Sequence, residues 1–112
     1  MKVINYNKLI RDKIPEIIKS CGKKAIVEKV SEDELLNYLN EKLEEELNEY
    51  KESGAIEELA DLIEVVYAIL DCKGITSEEF DDIRSTKNKE RGKFKEGLVL
   101  LKVIEDDSYD SR

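Results

Sequence analysis

The sequence predicts an all-α protein, an antiparallel helical bundle of about four helices with short peripheral β-strands. Three observations carry this. Charged residues make up 41% of the chain and hydrophobic ones 40%, the balance of amphipathic helices rather than of a disordered chain. Two long stretches, around 35–50 and 56–70, repeat apolar residues at helical spacing. Helix-start signals recur as Ser31-Glu32-Asp33-Glu34 and Thr76-Ser77-Glu78-Glu79, both in the form of a capping box. At 112 residues the chain is expected to form one domain over 1–104, followed by an acidic, disordered tail at 105–112.

The elements follow in order. Residues 1–6 are mixed and short. Asp12 is the expected N-cap of a first helix, with Pro15 in its first turn. Ile14, Ile17, Ile18 and Cys21 give that helix an apolar face, and Gly22 closes it. Lys8, Arg11 and Lys13 precede it, either as a solvated basic loop or as a contact for phosphate. Residues 24–30 alternate and read as a strand. The second helix starts at the Ser31 box and runs to about Lys51. The third runs from about Ala55 to Cys72, with Gly54 in the turn before it and Gly74 after it. It is apolar over well over half its circumference, which implies a bundle and a second copy of the chain to cover the rest. A fourth helix runs from the Thr76 box to about Glu90, with Phe80 and Ile83 as its apolar anchors. Leu98 to Ile104 reads as another strand, a candidate partner for 24–30.

Composition narrows function. Net charge is −8, which weighs against duplex nucleic acid as a partner. The longest apolar runs are a few residues, too short for a membrane span. Cys21 and Cys72 read as reduced, buried thiols of a cytoplasmic protein. There is no histidine, so the commonest general base and zinc ligand are missing, and oxygen-liganded Mg²⁺ or Mn²⁺ is favoured over softer ions.

The candidate site comes from the helix wheel. Each residue advances about 100°, so positions three or four apart share a face. Glu46 and Glu49 are neighbours on the second helix, as are Glu58 and Asp61 on the third. Glu46 falls inside the apolar stripe, between Leu35 and Leu39. Glu58 falls beside Leu62, Val65 and Ile69, outside the polar strip of Glu57, Asp61 and Glu64. A carboxylate on apolar ground costs several kcal/mol unless it is paired or bound to metal. Two of them, each with a further acid three residues on, suggest a cation site formed where the helices fold back at Gly54.

Glu45-Glu46-Leu47-Asn48-Glu49 followed by Glu58-Leu59-Ala60-Asp61 resembles the signature of the MazG-like, all-α nucleoside triphosphate pyrophosphohydrolase superfamily, which includes phosphoribosyl-ATP pyrophosphohydrolases and dimeric dUTPases. The opening YNKLIRDKIPEII is similar to that of a small house-cleaning, phosphoribosyl-ATP pyrophosphohydrolase-like subgroup. Lys87-Asn88-Lys89-Glu90-Arg91-Gly92 resembles a basic segment found after the acidic helices in relatives. The likeness runs from Tyr6 to about Phe94. It implies a homodimer or dimer of dimers, Mg²⁺ dependence (Mn²⁺ as an alternative), and cleavage of a nucleoside triphosphate between the α and β phosphates. On that reading Glu46, Glu49, Glu58 and Asp61 are metal ligands and Glu45 is the candidate catalytic base. Lys8, Arg11, Lys13, Lys87, Asn88 and Arg91 bind phosphates. The linker of eight residues between Glu49 and Glu58 is shorter than in many members and leaves less room for a loop over the base. Phosphoribosyl-ATP hydrolysis in histidine biosynthesis, a non-catalytic metal- or nucleotide-binding protein, and a helical interaction module stay open as alternatives.

Overall fold

A computed structural model of the chain describes residues 1–106, so most of the expected tail, 107–112, lies outside the described residues. Four α-helices follow one another: α1 (Ile14–Ser20), α2 (Glu32–Ser53), α3 (Ile56–Cys72) and α4 (Ser77–Arg91). The chain divides after Phe80 into two compact units, the first Met1–Phe80 and the second beginning at Asp81.

In the first unit α2 and α3 pack on each other, joined only by Gly54 and Ala55. Gly54 makes that turn possible. Its φ of +67° lies in the left-handed region, where a Cβ is disfavoured, and its N–H closes the last turn of α2 on the Tyr50 carbonyl at 2.7 Å. α3 ends differently, through Lys73 and then Gly74, with the Ile75 N–H reaching back to the Leu70 carbonyl at 2.9 Å. The two helices bury little outright. Leu39 and Val65 are the buried hydrophobic residues among those described, and Glu46 is buried as well.

The helix starts differ in chemistry. At α4 the expected box is complete: the Glu79 N–H donates to the Thr76 hydroxyl at 3.1 Å, and the Thr76 N–H donates to Glu79 Oε1 at 3.0 Å. At α2 Ser31 does take the N-cap position, but its hydroxyl donates to Glu34 Oε1 at 3.3 Å instead of accepting a backbone N–H. At α1 the N-cap is Lys13, not Asp12. Its backbone is already helical, and Pro15 lies in the first turn as expected.

Two expectations are corrected. Residues 24–30 and 98–104 form no strand, and no strand occurs among the described residues. A strand needs a neighbour to take its N–H and C=O groups. Neither segment finds one, and Leu98, Leu101 and Ile104 stand more than four-fifths exposed. Cys21 and Cys72 are free thiols, but exposed rather than buried. Each lies at a helix C-terminus. No described helix is long and apolar enough to cross a membrane.

Candidate metal centre

The short α2–α3 turn sets the site. It brings the last turns of α2, with Glu45, Glu46 and Glu49, against the first turns of α3, with Glu58 and Asp61. Glu58 lies in the first turn of α3, where the helix dipole favours negative charge. One carboxylate oxygen from each of Glu46, Glu58 and Asp61 lies within 4.8 Å of the other two. Like charges this close repel unless protonated or bridged by a cation.

Glu46 is the key member. It is only 6% exposed, as its place between Leu35 and Leu39 on the wheel predicts. Lys42, one turn earlier, approaches Oε1 at 3.5 Å. Oε2 is buried with no hydrogen-bond partner. Burial holds the Glu46 carboxyl above its usual pKa, and the neighbouring Glu49 pushes it further in the same direction; Lys42 opposes both. The Glu58 carboxyl is raised too, by loss of water contact first and then by the charges of Glu49 and Asp61. Glu49 is half-buried and its carboxylate acts on both Glu46 and Glu58, but the oxygens that converge belong to Glu46, Glu58 and Asp61.

Glu45 is placed otherwise. It accepts from Lys8 Nζ at 2.8 Å through Oε1 and from Lys42 Nζ at 3.3 Å through Oε2. The hydrogen bond from Lys8 holds the Glu45 carboxyl below its ordinary value, and the same bond raises the Lys8 ammonium. Arg11 Nη2 donates to Asp61 Oδ1 at 2.7 Å. Two of the expected phosphate-binding cations therefore reach the acidic cluster and are engaged by its carboxylates. Lys13 takes the N-cap of α1 and is exposed. Lys87, Asn88 and Arg91 lie on the C-terminal half of α4 in the second unit. Lys87 and Arg91 are exposed, Asn88 is half-buried, and its carbonyl accepts the Gly92 N–H at 2.9 Å.

Lys42 went unnoticed in the sequence reading. The signal was there: a lysine three residues before Glu45 and four before Glu46 shares their face. An open groove lined by Pro15, Glu16, Lys19, Lys23, Lys24 and Ala25 lies beside α1 and includes none of the acids of the cluster.

Together Glu45, Glu46, Glu49, Glu58 and Asp61 face Lys8, Arg11 and Lys42, an excess of two carboxylates. One divalent cation would balance it. No protein-family model, curated protein or solved structure matches the chain.

Proposed function

We propose that the protein is a Mg²⁺-dependent nucleoside triphosphate pyrophosphohydrolase of the MazG-like kind. It splits its substrate between the α and β phosphates, releases a nucleoside monophosphate and pyrophosphate, and clears non-standard nucleotides in the cytoplasm. The observation that carries the reading is Glu46 Oε2, a buried carboxylate oxygen without a partner, in a cluster with Glu58 and Asp61. The donor set consists of carboxylate oxygens, which suits a hard cation, and a bound cation would give the orphaned oxygen a partner.

Glu46, Glu58 and Asp61 would hold the ion, with Glu49 beside them. Mg²⁺, or Mn²⁺ in its place, supplies charge neutralisation on the phosphates and lowers the pKa of a bound water. Glu45 is the candidate base: Lys8 and Lys42 keep it ionised in the metal-free protein, and release of Lys8 to phosphate would restore some of its basicity, so that it could take the proton of the attacking water. Lys8, Arg11 and Lys13 would bind phosphate oxygens; Lys87, Asn88 and Arg91 belong to the second unit, and their phosphate role rests on the sequence resemblance alone.

A homodimer, or a dimer of dimers, fits the apolar surface of α3. Ile56, Ile63 and Tyr67 are exposed, and their spacing of seven and four residues sets them along one side of the helix. With Leu39 and Val65 as the buried apolar residues of the hairpin, a second copy would supply the missing burial.

The test is a panel of canonical and modified nucleoside triphosphates together with phosphoribosyl-ATP, with pyrophosphate detected at zero and at millimolar Mg²⁺. Mg²⁺-dependent pyrophosphate release, strongest with a modified triphosphate, is expected. Release from phosphoribosyl-ATP alone would reassign the substrate, and no release from any would leave a binding protein.

A further inference from the structure

We propose that residues 6–13 form an ion-exchange strap over the acidic centre. In the cation-free protein Lys8 and Arg11 occupy the carboxylates. A divalent cation displaces Arg11 from Asp61, loosens the strap and frees both side chains for phosphate. This rests on the cluster being a divalent-cation site, as read above.

Four observations support it. Arg11 reaches Asp61 at 2.7 Å, so a residue of the cluster already carries a positive partner. Lys8 reaches Glu45 at 2.8 Å from the same segment, with its ammonium 5.9 Å from the centre of the Tyr6 ring. Asn7 lies between them with φ of +50°, a left-handed conformation that asparagine tolerates better than most residues. Among the described residues, no backbone hydrogen bond attaches 1–10 to α2 or α3. The two ion pairs are thus the polar attachments of the strap, alongside the half-buried Leu9 and Ile10.

The exchange follows from charge. Both partners of the Arg11–Asp61 pair are substantially exposed, at 56% and 40% of their side chains, and a pair in that setting is weak. A dication among Glu46, Glu49, Glu58 and Asp61 offsets the Asp61 charge that holds Arg11. It also repels the guanidinium with twice the charge through which Asp61 attracts it. Arg11 has the longer reach and a competing use in binding phosphate, so it is the group that leaves. Linkage makes the effect reciprocal: if the metal weakens the strap, the strap weakens the metal by the same factor.

The experiment titrates MgCl₂ into the full chain at constant ionic strength, following thermal stability, for the wild type, R11Q and K19Q. K19Q removes one positive charge away from the cluster. R11Q is expected to reach half-saturation at about two- to fivefold lower Mg²⁺, the size of an exposed ion pair, and K19Q to match the wild type. Trypsin cleavage after Lys8 and Arg11 of the wild type needs no variant: it is expected to be faster when Mg²⁺ is added, because both side chains are engaged by carboxylates in the metal-free protein. Should R11Q bind no more tightly than wild type, or cleavage after Lys8 and Arg11 be no faster with metal, the strap is refuted while the metal site stands. Absence of saturable stabilisation in all three proteins overturns the strap and the cation reading together.

Discussion

Lys42 stands one helical turn before Glu46, and its ammonium reaches only one of the two carboxylate oxygens, Oε1 at 3.5 Å, while Oε2 is buried without a partner. The lysine therefore offsets part of the cost of burying Glu46 and leaves the rest for something else to meet. A surface acid would turn its free oxygen to water; helix α2 holds this one among leucines.

Replacing Glu46 with glutamine separates stability from function. E46Q removes a buried charge crowded by Glu49 and Asp61. The metal-free protein should gain about 1 kcal/mol, a rise of about 4 °C in unfolding midpoint. Stabilisation by Mg²⁺, about 2.7 kcal/mol at a hundredfold excess over Kd in the wild type, should vanish. Pyrophosphate release should fall by about two orders of magnitude or more. Calorimetry with and without Mg²⁺ checks the first two, and a variant that keeps the full magnesium shift removes Glu46 from the site.

The raised Glu46 and Glu58 pKa values predict an unusual pH response. In the folded protein both carboxyls hold their protons above the ordinary value of 4.5. The folded state then binds protons more tightly than the unfolded one. The stability this contributes is complete below 4.5 and is lost as pH rises through the folded values. Metal-free midpoints should decline as pH rises above 4.5 through the folded values of the two groups, less so in E46Q. Saturating Mg²⁺, which binds the deprotonated carboxylates, should reverse the slope. Glu45 and Glu79 are shifted down, so their contribution is lost in a lower window, as pH falls through their folded values. A metal-free wild type that becomes steadily more stable as pH rises from 4.5 toward neutrality contradicts this.

At the start of α4, Thr76→Ala removes the hydroxyl that accepts the Glu79 N–H and donates to the Glu79 carboxylate. The cap is worth about 1 kcal/mol. Amide exchange in the first turn of α4 should speed up about fivefold. The Glu79 carboxyl, now held down by the Thr76 N–H and hydroxyl, should titrate closer to its ordinary value. Unchanged exchange at Glu79 would show that the cap contributes nothing.

The apolar side of α3 sets a fourth expectation. If Ile56, Ile63 and Tyr67 meet a second copy of the chain, I63D places a charge in that seam. Light scattering should then report the mass of one chain where the wild type reports two or four. Ile63 is about half exposed in the single chain, so the substitution leaves its core largely intact. An unchanged mass rules this face out as the interface.

What was legible in the chain was local. Helices α2, α3 and α4 lie within two residues of where capping signals and glycines place them. The burial of Glu46 was visible on a helical wheel, because a regular helix turns spacing into direction. The misreadings share another cause. Alternation at 24–30 and the apolar run at 98–104 suggested strands, but pairing depends on a neighbour that neither pattern specifies. Asp12 suits an N-cap as well as any residue, yet the N-cap of α1 falls one residue later, at Lys13, where the backbone is already helical.

The amino-acid order by itself determined four helices, a hairpin turn at Gly54 and two pairs of acids at helical spacing, because these depend on groups three or four residues apart. Only the tertiary structure decided which acids share a centre and which cations stand there. Lys8 meets Glu45 across 37 residues and Arg11 meets Asp61 across 50, encounters set by the path of the chain over the α2–α3 hairpin and by no local rule.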